Sequence, residues 1–205
     1  MNAQHGTAPW ILARRFALIA ALLGATMWVA GDRLVQGLLP LFRLAIELGD
    51  RDHQVERLEF DREGADRVLR LTVSRVRYVI AGGKALAPEP ESRASATTLA
   101  GHVQLVLVLL LSSAFITHPT SAKAWLRRLA AAAAAALLCM LLDVPLVLMA
   151  SIWGLYAQAL EPDRWSPLLS WSAFMQGGGR YWLPLGMGVA MSALIGAPLL
   201  RGKRV

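Results

Sequence analysis

Three ionisable residues beside or within long apolar runs are the main candidates for chemistry in this sequence. Asp143 lies in the segment LLDVPLVL, His102 lies near the start of one apolar run, and Arg180 lies two residues before another. At the rise of an α-helix, Asp143 and His102 fall about 21 Å and about 24 Å from the basic ends of their runs. We therefore expect the two at one depth, with Arg180 within reach. Such a cluster could relay protons, bind an anion or hold helices together, and Asp143 could instead bind backbone groups that Pro145 frees.

The single cysteine, Cys139, is a second candidate because Asp143 follows it by one helical turn. A nucleophile needs water and substrate, whereas Cys139 lies about 15 Å along its apolar run, near the middle of a bilayer. A buried free cysteine usually behaves as a small apolar residue, so we expect it to be inert. The sequence contains no CxxC motif, His/Cys cluster or phosphate-binding glycine loop, and we expect no metal and no cofactor.

Long apolar runs are the elements that must position these residues. Hydrophobic residues make up 56% of the 205-residue chain and charged residues 17%, against about a quarter charged in a soluble domain. Runs near the length needed to cross a bilayer, about 20 helical residues, occupy 16–31, 99–117, 129–160 and 182–200. The sequence therefore predicts an integral membrane, mainly α protein with four transmembrane helices, and it excludes a soluble enzyme.

The distribution of charge predicts the orientation of the chain. Segments 1–15, 118–128 and 201–205 carry basic residues and no acidic ones, whereas 50–98 holds both signs in equal number. Basic flanks stay on the cytoplasmic side. We therefore expect a bacterial inner-membrane protein with both termini cytoplasmic and residues 50–98 outside. The net charge of +7 then reflects topology rather than a nucleic-acid partner, and the first run is expected to be a retained anchor rather than a cleaved signal.

Residues 50–98 are predicted to form a small extracytoplasmic antiparallel β insertion. Apolar residues alternate with polar ones in 55–60 and 67–80, as is typical of strands, and the change of parity near Ser74 indicates a bulge or a break. A region this small cannot build a self-sufficient core, so we expect it to lean on the helices or on another protein. Turn residues occupy 61–66.

Two flanking segments have patterns of their own. Residues 34–48 have helical apolar spacing, which predicts an amphipathic helix or a stalk that continues the first span, with a kink at Pro40. Residues 88–98, rich in proline and small polar residues, are predicted to be a linker. The organisation is then 1–33, tail and first transmembrane helix; 34–98, amphipathic segment, β-region and linker; and 99–205, the other transmembrane helices.

Small residues in the last two runs predict close helix packing, because they let backbones approach in lipid. Gly188, Ser192 and Gly196 recur every four residues, and a run of alanines that includes Ala130 and Ala134 opens the third span. We expect these two spans to pack together, and a homodimer face is the competing use of the same residues.

The connection between those two spans is predicted to contain an interfacial helix near 166–176. Ser166 followed by Pro167 is typical of a helix start. Three glycines at 177–179 then permit a turn into the last span.

Several strings place these elements in a recognisable order: GLLPLFRLAIELG, the strand ending LTV, SATTLAGHVQLVLVLLLSS and GGGRYWLPL. Over about residues 34–200 the layout resembles the exosortase-associated membrane proteins, particularly those accompanying exosortase H-type enzymes. Exosortases use Cys, Arg and His near the outer membrane face. This chain has His102, Cys139 and Arg180, but the cysteine is too deep and its LLCMLLD context differs, so no catalytic role is transferred. The resemblance implies an accessory subunit in surface-protein sorting.

Three functions follow as hypotheses. The first is a non-enzymatic accessory protein in the lipid bilayer that docks a membrane-protein partner, either a sorting enzyme or an exported substrate. The second is a small transporter or proton-coupled subunit that uses Asp143, His102 and Arg180. The third, a membrane thiol enzyme, would depend on Cys139 and is the least favoured of the three.

Overall fold

The computed structural model describes residues 9–81, 83–117 and 121–196, which are mainly helical with a small β-region. Two compact units divide the chain: a first unit of residues 1–29, 105–139 and 181–205, and a second unit of 30–104 and 140–180. The elements are α1 (Pro9–Gly49), β1 (His53–Glu63), β2 (Asp66–Arg75), β3 (Val79–Ala81), β4 (Lys84–Leu86), β5 (Glu89–Leu99), α2 (Gly101–Ala114), α3 (Ala122–Leu160), α4 (Pro167–Phe174), a π-helical turn (Met175–Gly179) and α5 (Arg180–Gly196).

The prediction of four transmembrane helices is wrong. Among the described residues, only α1 with 41 residues and α3 with 39 are long and apolar enough to cross a membrane. The 14 residues of α2 extend about 21 Å, short of a hydrocarbon core of about 30 Å. The apolar run at 99–117 was taken for one helix because hydropathy does not show where a helix begins and ends. In the structure, Leu99 is the last residue of β5, and α2 ends at Ala114. The described part of α5 has 17 residues.

Helix α1 combines the first predicted span and the segment that follows it. It continues through Pro40 to Gly49, which matches the stalk interpretation of 34–48. None of its most apolar 18-residue stretch is buried in the protein, against 67% of the corresponding stretch of α3. An apolar helix surface of this size needs lipid or a protein to cover it. With two helices that could span a bilayer, the chain has the character of a membrane-associated protein.

The β-region contains a three-stranded antiparallel sheet in the order β1-β2-β5 and a separate β3-β4 hairpin. The turn predicted at 61–66 is confirmed only at Gly64, which has φ 62°, and Ala65, since 61–63 and 66 belong to β1 and β2. The irregularity predicted near Ser74 is confirmed as a register shift between Ser74 and Arg75 in the β2–β5 pairing. The predicted linker at 88–98 is instead mostly β5. Its residues have low strand propensity, and its conformation depends on pairing with β2.

The sheet is fastened to α1 within the second unit. Arg67 Nη1 on β2 lies 2.6 Å from Asp32 Oδ1, and Arg43 Nη2 donates to the Val55 carbonyl at 3.2 Å. The apolar face of the sheet is also well covered, since Leu69 and Leu71 are fully buried. The expectation that so small a sheet leans on the helices is confirmed for the second unit.

The predicted start of the interfacial segment is confirmed as the N-terminus of α4. Ser166 is the N-cap, its Oγ accepts from the Leu169 N–H, and Pro167 begins the helix. Gly178 in the following π-helical turn has φ 118°, a backbone conformation that favours glycine. The predicted turn at the three glycines therefore has a definite conformational basis.

Small residues of α5 face α2 in the first unit. A Cβ added at Gly188 would lie 2.6 Å from the Leu110 carbonyl oxygen and closer still to Ser113 Oγ. Ser192 Oγ lies 3.0 Å from Thr117 Oγ1. We expected this stripe to pack on the alanine run, whereas Gly188 packs on α2 and Ser192 contacts Thr117, three residues beyond the end of α2. The surroundings of Gly196 lie outside what the structure describes.

Gly188→Ala is expected to destabilise the first unit by about 1–3 kcal/mol, the usual range for overpacking, because a methyl group there overlaps the backbone of α2. Gly186→Ala is the matched control, since a Cβ at Gly186 meets nothing within 4 Å. Thermal unfolding of the two variants in detergent measures the difference. Equal melting temperatures would contradict close packing at Gly188.

Candidate functional site

The structure brings together the three ionisable residues that the sequence singled out, all within the second unit. Arg180 Nη2 lies 3.4 Å from Asp143 Oδ1. Arg180 Nη1 donates to the His102 ring, whose Nε2 is 2.7 Å away. Asp143 is 2% exposed and Arg180 6%. We call these three residues the Arg180 cluster.

Each member of the Arg180 cluster comes from a different helix. His102 lies in the first turn of α2, Asp143 in the middle of α3, and Arg180 at the first residue of α5. The turn at Gly178 directs the chain from α4 into α5. Trp171 on α4 fastens this connection, because its Nε1 donates to the Leu142 carbonyl at 2.7 Å. That carbonyl lies next to the one that Pro145 deprives of its helical N–H.

Two buried polar atoms of the Arg180 cluster have no hydrogen-bond partner among the described residues: Asp143 Oδ2 and Arg180 Nε. A buried carboxylate oxygen or guanidinium N–H left unpaired is costly and unusual. The first can accept a hydrogen bond and the second can donate one, and a water or hydroxyl group offers both functions. The arrangement can therefore hold a small hydrogen-bonding species between an acid and a cation. Among the described residues, no group of three His, Cys, Asp or Glu side chains could hold a metal ion.

Cys139 belongs to the first unit. The side chain is 1% exposed, and its Sγ lies 3.3 Å from Met187 Sδ on α5. A thiol in contact with a thioether and hidden from solvent is a packing group. Cys139 is thus placed as a packing residue, and its expected inertness stays a prediction.

The buried face of the alanine run in α3 does not include the two alanines that we expected to pack. Ala130 and Ala134 are exposed, whereas Ala132 and Ala136 are buried. A run of identical residues carries no periodicity, so its sequence cannot say which face packs.

Arg128 is a residue that the sequence interpretation missed. It was grouped with the basic loop, yet it is 1% exposed and is among the largest fully buried side chains. Its Nη1 donates to the Thr117 carbonyl at 2.6 Å and lies 3.4 Å from the Ala114 carbonyl. The first unit contains no Asp or Glu, so carbonyls beyond the end of α2 compensate this charge, as cations do at helix C-termini.

A second missed group joins the β-region to α3 in the second unit. His53 is 8% exposed, with Nδ1 2.9 Å from Asp50 Oδ2 and Nε2 3.4 Å from the Tyr156 hydroxyl. Arg75 also lies over the Tyr156 ring at 5.8 Å. The signal in the sequence was the DRDH segment directly after α1, where an aspartate precedes a histidine by three residues. His118 lies outside the described residues.

The surroundings of Asp50 have opposing effects on its ionisation. Burial opposes its ionisation, but hydrogen bonds from His53 and from the backbone, with the charge of His53, outweigh burial and lower the pKa of Asp50 below its ordinary 3.8. A lowered carboxyl pKa adds stability above the ordinary value and loses it as the pH falls through the lowered one. Asp50 therefore supports the attachment of the sheet at neutral pH.

Comparison with known proteins identifies no relative: no family model, no curated protein and no solved structure matches this chain.

Arg128→Met is expected to lower the free energy of unfolding by about 1–3 kcal/mol, because it leaves the Thr117 and Ala114 carbonyls without their donor. Arg127→Met is the control, since the neighbouring arginine is exposed and its loss should change stability by less than about 0.5 kcal/mol. Denaturant unfolding in detergent compares the two. A similar loss in both variants would contradict the capping role of Arg128.

Proposed function

We propose that this protein is a non-enzymatic accessory protein of the bacterial inner membrane that docks a partner through the open edge of its three-stranded sheet. The observation that carries the proposal is the position of β5. It is an 11-residue strand at the end of the β1-β2-β5 order, and among the described strands it pairs only with β2. An edge strand of this length presents unpaired N–H and C=O groups to another chain.

The two edges of the sheet are not equivalent. The Arg43 side chain occupies the Val55 carbonyl at the start of β1, so part of that edge is already covered. On β5, side chains at Ser95 and Thr97 are exposed. Addition of a strand at β5 would extend a sheet whose other strands are already held in place.

Attachment of the sheet to the helices supports the same proposal. The Arg67–Asp32 ion pair and the His53 contacts fix the sheet on two sides within the second unit. An edge held in one conformation loses little entropy when it binds. This gives a small sheet the means to bind a partner that a free hairpin would lack.

The proposed location places the β-region outside the cytoplasm. Helix α1, which directly precedes the β-region, carries arginines near its N-terminal end and no acidic residue there. Basic flanks favour the cytoplasmic side. The resemblance to exosortase-associated proteins supplies the partner class, a membrane-embedded sorting enzyme or its exported substrate.

A photoreactive amino acid at Ser95 is expected to cross-link a co-expressed exosortase-type enzyme in native membranes, because a docked strand would pass directly beside it. Ala65, exposed in the turn between β1 and β2, is the control position and should give no adduct. The adduct is measured by mass on a denaturing gel and by peptide mapping.

Accessibility of the sheet is checked in the same membranes. A cysteine introduced at Ala65 should react with a membrane-impermeant maleimide from outside, and the native Cys139 is buried. Labelling only after lysis would overturn the proposed orientation. Labelling from outside without a Ser95 adduct, or with equal adducts at both positions, would overturn docking at β5.

The Arg180 cluster favours a second candidate function, a proton-coupled or transporting subunit. Its support is the contact of Arg180 with Asp143, whose Oδ2 has no hydrogen-bond partner among the described residues, since a species bound there could exchange a proton with the acid. His102, less buried than the other two, would connect the pair to solvent. A purely structural ion pair is the competing interpretation.

Asp143→Asn separates these two interpretations. If the Arg180 cluster carries protons, reconstituted vesicles should lose proton flux, read by an entrapped pH-sensitive dye, while folded yield is unchanged. Asp32→Asn is the control, because it removes an acid paired with Arg67 at the sheet. Loss of folding that Asp143→Asn with Arg180→Gln restores, or unchanged flux, would show that the cluster is structural, since removing one buried partner alone costs about 3–5 kcal/mol.

A further inference from the structure

The two faces of the β1-β2-β5 sheet differ sharply in chemistry. Directly opposed residues share a face, so the register gives one apolar face, where Leu71 pairs with Leu58 and Ala96. The other face is polar, with Thr72 opposite Arg57 and Ser95. Any strand added at β5 must match both faces, because its side chains alternate between them.

The polar face contains a cleft of about 290 Å³ lined by Glu56, Arg57, Glu59, Arg70, Thr72 and Arg93. Its acidic residues lie on β1, the strand farthest from the open edge. Arg57 lies 3.6 Å from Glu59, and Arg70 lies 2.8 Å from Glu63. The charge of the cleft is therefore balanced on the β1 side.

Arg93 differs from the other two arginines. It lies on β5, opposite Ser74, is exposed, and has no ion pair among the described residues. The polar positions that follow it on β5 are Ser95 and Thr97, which carry no charge. The side of the cleft nearest the open edge therefore has a cation that forms no ion pair among the described residues, while Glu56 on the β1 side accepts a hydrogen bond from Ser74.

The apolar face of β5 also limits which side chains an added strand can carry. Ala94 and Ala96 lie opposite Val73 and Leu71, and Ala96 is 8% exposed. A strand beside them would place its own side chains at the margin of the apolar core. Apolar side chains suit that position, whereas charged ones would be desolvated.

We infer that β5 selects an extended partner segment in which apolar residues alternate with polar ones and a carboxylate lies beside Arg93. This inference rests on the proposed docking function and specifies its partner. The Arg93 guanidinium would bind the carboxylate through charge-assisted hydrogen bonds, while Ala94 and Ala96 contact the apolar side chains. Main-chain pairing with β5 supplies the rest of the affinity.

The test uses the full chain in nanodiscs and fluorescent peptides of defined pattern. A peptide alternating valine with aspartate should bind about tenfold tighter than the same peptide with asparagine, as expected for one added charged hydrogen bond. A peptide of the same composition with its valines and aspartates in separate blocks should lose the binding. Fluorescence anisotropy measures each affinity.

Variants locate the effect. Arg93→Gln should abolish the preference for aspartate over asparagine, whereas Arg62→Gln, an exposed arginine near the far end of β1, should keep it. A preference that survives Arg93→Gln, or equal binding of the alternating and block peptides, would overturn the inference. If the Ser95 adduct forms but the aspartate preference is absent, docking stands and only the acidic specificity fails. If neither is found, both fail.

Discussion

A guanidinium removed from water must find acceptors, and two buried arginines organise much of this structure. Arg180 binds His102 and Asp143, so that residues of α2, α3 and α5 meet within the second unit. Arg128 has no acidic residue in its unit and binds carbonyls at and beyond the end of α2. In both cases the cost of burying the charge is offset only if several elements meet at one point. The helices around each arginine are therefore positioned by the need to satisfy it.

The two solutions have different consequences. Around Arg128 the acceptors are backbone carbonyls, which are fixed once the helix is formed and cannot change their protonation. Around Arg180 the acceptors are an imidazole and a carboxylate, both of which can gain or lose a proton. One site is suited to holding helices together, and the other combines a cation with an acid and an imidazole. This difference makes the Arg180 cluster the better candidate for chemistry and Arg128 the better candidate for architecture.

The small sheet also depends on contacts with other elements of the second unit. It is too small to be stable alone, and its attachment to α1 and α3 through Asp32, Arg43 and Tyr156 supplies what its own core lacks. Because these contacts lie at β1 and β2, they leave the far edge at β5 open. The features that stabilise the sheet and the feature that we propose for docking thus arise from one arrangement. Arg93 lies on that edge, and its positive charge favours a partner segment that carries a carboxylate.

Local patterns in the sequence determined the long apolar helices, the strand character of β1 and β2, the turn at Gly64 and the start of α4, because each depends on residues a few positions apart. The choice of Asp143, His102 and Arg180 also came from sequence, since ionisable groups in apolar surroundings are conspicuous. Tertiary structure alone decided that 89–99 forms a strand, that α2 is too short to span a bilayer, and which face of the alanine run is buried. It also revealed Arg128 and His53 as buried, because burial depends on neighbours distant in sequence, and a basic or polar residue carries no local sign of what will surround it.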